Sequence, residues 1–294
     1  MRITLTGATG FIGTALTGRL NEEGHQLRIL TRNPGTRNGY YGWNPLGGEP
    51  PPEPLAGAGA VIHLAGEPVA QRWTPEAKRL IRESRVTGTR HLVQALSTQA
   101  QRPEVLICAS AVGYYGDRGD EDLTEESPAG GGFLPETCLA WEEQARLAES
   151  LGIRVVRLRI GIVLGGGGAL AKMLPPFRAG LGGPLGGGRQ WMPWIHIEDL
   201  VRLVLFALAN PELRGAVNAV SPSPVRNSDF GRALGAAIRR PAVMPVPAFA
   251  LKLLYGEMAD LLLDSQKVRP AAAQKAGFSF TFNDLQAALK DLLK

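Results

Sequence analysis

The seven residues GATGFIG (7–13) constrain this chain more than any other stretch. They stand between a short apolar run, RITLTG (2–7), and FIGTALTGRLNEEG (11–24), in which Phe11, Ile12, Ala15, Leu16 and Leu20 recur at helical spacing. QLRILTR (26–32) then alternates as a second strand. Strand, turn, helix and strand thus fit within about 30 residues, the length of a βαβ unit. In such a turn Gly7 permits a tight bend, Gly10 lets backbone approach a pyrophosphate and Gly13 lets helix pack on strand, while the helix N-terminus attracts the anion. The motif alone is weak, but the flanking strand and helix make it a dinucleotide site.

The alternation continues. Residues 33–54 are turn-rich with room for one edge strand, and GAVIHLAG (59–66) reads as a buried strand. Thr74 offers an N-cap and Pro75 a first helical residue to a long helix reaching about Thr98. VLICASAV (105–112) is the next strand, FLPETCLAWEEQAR (133–146) the next helix and IRVVRLRIGIVLG (153–165) the strand after it. This order predicts an α/β fold, a Rossmann-like doubly wound parallel sheet with a small C-terminal substrate lobe. Beyond residue 165 come two glycine-rich loops around a short helix, a helix from about Glu198, a strand at 216–220, a helix capped by Asn227 or Ser228, and a last helix behind proline. A Rossmann-like domain over 1–240, with substrate-lobe insertions, and a helical module over 241–294 are expected. In that module Leu251, Leu254, Met258, Leu261 and Leu262 have the spacing of a packing face.

Composition narrows the function classes. At 294 residues, 44% hydrophobic and 20% charged, the chain has ample material for a core. Its formal charge of +5 is dispersed, with no lysine-rich tail and no aromatic stripe, which argues against nucleic acid and for anionic small molecules. Two distant cysteines, Cys108 and Cys138, match no zinc or disulfide spacing and suit a reducing compartment. The opening MRITLTGATG reads as neither a signal peptide nor an anchor, and no apolar run reaches the roughly 18 residues of a membrane span. A cytoplasmic protein with a small-molecule substrate, no membrane association and no metal is expected. The carboxylates of DRGDEDLTEE (117–126) match no calcium loop and read as a solvated acidic loop.

Where an NAD enzyme carries an acid after the second strand, this chain has Thr31, Arg32 and Asn33. Arginine there accommodates a 2′-phosphate, so NADP(H) is expected over NAD(H).

The glycine spacing, VIHLAG and ASAVGYYG resemble the extended short-chain dehydrogenase/reductase superfamily, which contains sugar-nucleotide epimerases and dehydratases. SAVGYYGDRGDE, the CxxWE helix, GGPLGGGRQWMPWIHIEDL, GEMADLLLDSQKVRP and GFSFTF resemble an atypical epimerase-like branch within it. The resemblance spans nearly the whole chain. It implies a cofactor site formed by Gly7, Thr9, Gly10, Phe11, Ile12, Gly13, Thr31, Arg32, Leu64, Ala65, Gly66, Arg85 and Val163. Arg85 stands where typical members carry asparagine. Ser110, with Ala111 as the alternative, takes the place of the serine that binds a substrate oxygen.

Typical members then carry Tyr-x-x-x-Lys on the following helix, where tyrosine moves the proton and lysine holds the nicotinamide ribose. Placed on that pattern, Cys138 replaces tyrosine and Glu142 replaces lysine. Three readings are open: a thiol donor at Cys138, acid–base work by Glu142, or chemistry moved to Tyr114 or Tyr115 in the loop after the strand. Arg189, Trp191, Trp194 and His196 resemble a substrate pocket, with packing as an equal reading for Trp194 and His196. Taken alone, His63 reads as a core histidine, and Arg159 as either a strand-end surface charge or an anchor for an anionic substrate. The family resemblance also allows a homodimer through the helices at 74–98 and 135–151.

Overall fold

The structure, a computed structural model, describes all 294 residues. In chain order it runs β1 (Arg2–Thr6), α1 (Phe11–Glu22), β2 (Gln26–Thr31), β3 (Tyr40–Gly42), β4 (Ala60–His63), α2 (Pro75–Ser97), β5 (Val105–Ala111), β6 (Asp122–Leu123), α3 (Phe133–Arg146), β7 (Arg154–Ile160), β8 (Ile162–Leu164) and α4 (Gly168–Arg178). There follow β9 (Trp191–Met192), β10 (Trp194–His196), α5 (Ile197–Ala209), β11 (Gly215–Ala219), β12 (Val225–Arg226), α6 (Asn227–Ala237), α7 (Ala248–Tyr255), α8 (Asp260–Leu263), β13 (Lys267–Val268), α9 (Ala271–Lys275) and α10 (Leu285–Leu292).

Seven strands form one parallel sheet in the order β11-β7-β5-β4-β1-β2-β3. From β1 the chain winds outward through β2 and β3, then crosses back and winds the other way from β4. The carboxyl ends of β1 and β4 therefore bound a topological switch point, where α/β sheets bind ligands. Alternate strand residues feed two cores. Ile62 and Ile107 meet Leu16 and Leu20 of α1 and Leu200 and Leu203 of α5, while Val61 and Leu106 meet Leu92 and Leu96 of α2 and Trp141 of α3. Both faces are covered, which is why these strands read as unbroken apolar runs. The Thr74 side chain accepts from Ala77 N at 3.1 Å, as its place before Pro75 predicts.

Three expectations need correction. The N-cap position of α6 falls on Arg226, not on Asn227 or Ser228, and no side chain caps it. Residues 153–165 are two strands. At Gly161 a Cβ would lie 2.6 Å from Pro193 O, and there the chain leaves the main sheet so that β8 pairs with β10. The apolar positions of the last module do not share one face either. The helix breaks at Gly256 (φ 61°), so Leu251 and Met258 are buried, but Leu254 and Leu261 are 62% and 40% exposed. Elsewhere the segment after residue 240 packs closely on the body, with Ala273 and Phe278 in the α1–α5 core and β13 paired with β6.

Candidate active site

The first turn is shaped by what lacks space. Gly7 adopts φ 73°, and a Cβ on it would stand 2.7 Å from the Leu64 carbonyl carbon; a Cβ on Gly13 would stand 2.1 Å from Gly7 O. The turn thus lies directly on the segment leaving β4 and on the start of α1. The first intrahelical bond runs from Thr14 N to Gly10 O at 2.8 Å, so the N–H groups of Phe11, Ile12 and Gly13 have no protein acceptor. No acid occupies this turn. Free N–H groups with a helix dipole behind them form an anion cradle, and the residues present fit a dinucleotide pyrophosphate. Thr9 is exposed at its rim, Phe11 and Ile12 are half-buried behind it, and Val163 of β8 is nearly buried in the same core. Thr31 ends β2 and is half-buried, while Arg32, just past it, is exposed and without a protein partner.

A second layer holds the far wall. Thr6 Oγ1 accepts from Leu64 N at 3.2 Å and Ala65 N at 3.1 Å. With both lone pairs taken, its proton goes to His63 Nδ1, 2.7 Å away. The His63 proton therefore sits on Nε2, which donates to Thr89 Oγ1 at 3.1 Å. Burial first, and then the charge of Arg85, lower the His63 pKa to about 4. Neutral His63 is a core histidine, as its strand position suggests, and it also positions Leu64 and Ala65. Sequence reasoning missed that second role; the signal was threonine facing the histidine across two central strands.

The third group is a polar row. In the register of the sheet Ser110, Arg159 and Asn218 are neighbours on β5, β7 and β11, and α3 lays Glu142 over them. Glu142 Oε1 accepts from Ser110 Oγ at 2.7 Å and from Arg159 Nε at 2.8 Å, and Oε2 accepts from Arg159 Nη2 at 3.0 Å. Ser110 and Glu142 are each 3% exposed and Arg159 is 4%. Arg159 is therefore no surface charge. It sits under α3 because alternation in VVRLR aims both arginines at a helix that brings an acid. Desolvation pulls the Arg159 pKa down, but the bonds and charge of Glu142 outweigh it and the net push is upward. Arg159 Nη1 also donates to Tyr115 Oη at 3.0 Å, and Tyr115 donates to Asn218 Oδ1 at 2.7 Å. Burial, chiefly, raises the Tyr115 pKa to about 12.

Cys138, one turn before Glu142, is 4% exposed. Burial and then the Glu142 charge push its thiol up to about 12, against the opposing pull of Arg85. Tyr114 differs from all of these. It is half-exposed, its hydroxyl has no protein partner, and its ring lies 3.4 Å from Arg159 Cζ. Ala111, half-buried, ends β5 beside it. Arg85 reaches from α2 over Gly66.

The pocket candidates are dispersed. Arg189 is exposed, and Trp191 is flanked by Arg226 at 4.3 Å and Lys267 at 5.3 Å and donates to Asp120 at 2.7 Å. Trp194 is fully buried and donates to Ser223 O at 2.8 Å. His196 Nδ1 accepts from Glu198 N at 3.1 Å, capping α5, and its ring stacks on Phe282 with centroids 3.8 Å apart.

Residues 3–219 match the NAD dependent epimerase/dehydratase family. The chain belongs to that family. Residues 246–292 match a domain of unknown function, DUF1731. The chain is 42% identical to the Arabidopsis thaliana epimerase family protein SDR39U1 homolog, chloroplastic, over 100% of its length and 87% of the relative's. It is 38% identical to epimerase family protein YfhF of Bacillus subtilis, covering 100% and 98%. Among solved structures it resembles human epimerase family protein SDR39U1 (isoform2), crystallised with NADPH, with a TM-score of 0.90, 37% identity and coverage of 100% and 99%. This family member is thus an NAD(P)-binding protein with an extended short-chain dehydrogenase/reductase fold. No helix is long and apolar enough to cross a membrane.

Proposed function

We propose that the protein is an NADP(H)-dependent, epimerase-like oxidoreductase acting on a small polar substrate, and that Tyr114 handles the proton. The observation that carries the cofactor choice is Arg32: an exposed guanidinium with no acid beside it, where the second strand meets the adenosine ribose. A relative crystallised with NADPH supports the same choice. When bound, the cofactor supplies hydride transfer; the chain must supply the proton path. Ser110 and Glu142 are bonded to each other, Tyr115 is bonded to Asn218 and Arg159, and Cys138 is a sealed, protonated thiol. Tyr114 alone among the five presents a free hydroxyl, with the Arg159 cation over its ring to favour negative charge developing there. Arg189 and Trp191 would supply polar and flat contacts for the substrate, while Trp194 and His196 pack behind the site. Two free, buried cysteines support a reducing compartment such as the cytoplasm.

A titration of NADPH against NADH tests the reading. Arg32→Gln should lower NADPH affinity about 10-fold or more and leave NADH affinity unchanged, on the scale of one lost charge-assisted bond. Equal affinity of the wild-type protein for both cofactors would remove Arg32 as the selector. A second reading, a non-catalytic NADP(H) sensor, is favoured by the sealed state of Cys138 and Glu142. It prevails if NADPH binds tightly but is not oxidised by a broad panel of carbonyl compounds, quinones and sugar nucleotides.

A further inference from the structure

The module that matches a domain of unknown function reaches the candidate active site through one segment, Ser265–Arg269. It runs beside the loop that follows the Tyr114–Tyr115 turn, and each of its residues holds that loop. Gln266, 9% exposed, donates through Nε2 to Gly116 O at 3.1 Å. Gly116 follows Tyr115 directly and takes φ 65°, so this bond fixes the reversal at which the turn ends. Ser265 Oγ donates to Gly119 O at 2.6 Å, its N–H donates to Asp117 Oδ1 at 3.0 Å, and its carbonyl accepts from Arg118 N at 2.9 Å. Lys267 and Arg269 pair with Asp122 at 2.8 Å and 3.1 Å. Asp117 and Asp122 are exposed, as in a solvated acidic loop, but both are docking points for the module.

Two further contacts pass beneath the turn. Val268 is fully buried with Tyr115 and Leu123, and Tyr114 packs against that cluster. Arg269 O accepts from Asn218 Nδ2 at 2.9 Å, which turns Asn218 Oδ1 towards the Tyr115 hydroxyl, 2.7 Å away. Tyr115 therefore donates its proton to Asn218 and offers its oxygen to Arg159 Nη1. Arg159 in turn lies against the Tyr114 ring, which also meets the Tyr115 ring edge-on with centroids 5.2 Å apart.

We propose that Ser265–Arg269 is the positioning element of the active site, with Gln266 its main residue: it sets Tyr114 on Arg159 and thereby aims the free hydroxyl. The inference rests on the reading that Tyr114 handles the proton. It gives the C-terminal module a part in the reaction that runs through the loop rather than through contact with the reacting atoms. Misplacing a reacting group by about 1 Å can cost about 100-fold in rate, so the bond that ends the turn has leverage on turnover.

Fluorine NMR of the full chain labelled with 3-fluorotyrosine reads the loop directly. Of the five tyrosines, Tyr40 and Tyr41 lie on β3 at the far edge of the sheet and report that a variant is folded. Gln266→Met keeps the packing and removes the donor. It should move or broaden the Tyr114 and Tyr115 resonances and leave those of Tyr40 and Tyr41 in place. Ser265→Ala, whose lost bond lies at Gly119, should do the same to a smaller extent, and it carries the comparison should Gln266→Met not fold. In NADPH oxidation by the carbonyl panel, Gln266→Met should lower kcat about 10- to 100-fold with NADPH affinity unchanged. A Tyr114 resonance that stays in place in the folded variant, or a turnover loss matched by an equal loss of NADPH affinity, would overturn the inference. Full turnover in Tyr114→Phe would instead sink the proton reading, while the resonances still decide whether the segment holds the loop.

Discussion

The first turn and the polar row under α3 lie at the same end of the sheet, yet they are built in opposite ways. The turn uses backbone: free N–H groups of Phe11, Ile12 and Gly13, given access by glycines whose Cβ atoms would collide at 2.7 Å and 2.1 Å. The row uses side chains from four elements: Ser110, Glu142 and Arg159 bond one another, and Asn218 joins them through Tyr115. A backbone site is open and waits for an anion. A side-chain row this well satisfied is closed, and its worth lies in fixing α3 over β5 and β7 rather than in reacting.

If the row is structural, breaking it must cost stability. Glu142→Gln leaves the Arg159 charge buried without its counter-ion, and about 3–5 kcal/mol of unfolding free energy should be lost. Denaturant midpoints check this. The paired change Glu142→Met with Arg159→Met removes both charges and should recover most of the loss. A catalytic Glu142 would give the reverse pattern, with activity gone and stability kept.

The His63 network couples the open region to pH. An unfolded histidine takes up its proton below about 6.5, whereas His63 in the fold resists until about 4. The unfolded state therefore binds more protons between those values, and stability falls as pH drops through that window. A shift of this size is worth about 3 kcal/mol between pH 7 and pH 4. Asp264 works against it. Burial and then the charges of Asp117 and Asp260 raise its pKa to about 6, so its share of stability is lost as pH rises from about 4 to about 6. Comparing wild type with His63→Gln cancels that background, and the variant should show the smaller acid-side loss. Identical slopes would mean that Thr6 and Thr89 do not hold His63 neutral.

Gly7→Ala probes the turn directly. It forces an alanine to φ 73° and into the Leu64 backbone, which should cost about 1–3 kcal/mol as local strain. NADPH binding should fall by more than this stability change implies, because the turn must lift away from Leu64 and Ala65. A melting shift with unchanged NADPH affinity would place the anion elsewhere.

How much of this was legible follows the same division. The turn, the α2 cap at Thr74 and the alternation of strand and helix through β5 are local signals, set by spacing and steric limits within a few residues, and the structure follows them. The surface-charge reading of Arg159 fails because its partner is 17 residues away on another element. An acid on the apolar face of α3 (Cys138, Trp141, Glu142, Ala145) and arginines in an otherwise apolar strand each look anomalous alone, and only sheet register makes them explain one another. The break at Gly161 was hidden for a similar reason, since the obstacle is Pro193, far along the chain. Thr6 and His63 are 57 residues apart and meet only once β1 and β4 pair.

The smallest expected effect is the sharpest test of the closed region. With its pKa pushed up to about 12, Cys138 at pH 8 is about four units short of ionising, so roughly one thiol in ten thousand is thiolate. In the folded protein it should resist iodoacetamide at pH 8 and react only as denaturant opens the core. Cys138→Ser should leave NADPH affinity and any NADPH oxidation within about 2-fold of wild type, because a buried neutral donor of similar shape replaces another. Rapid alkylation of Cys138 without unfolding, or a turnover loss of 100-fold with unchanged binding, would show that the row opens during function. The proton path would then run through α3 after all, and Tyr114 would revert to a lining residue stacked on Arg159.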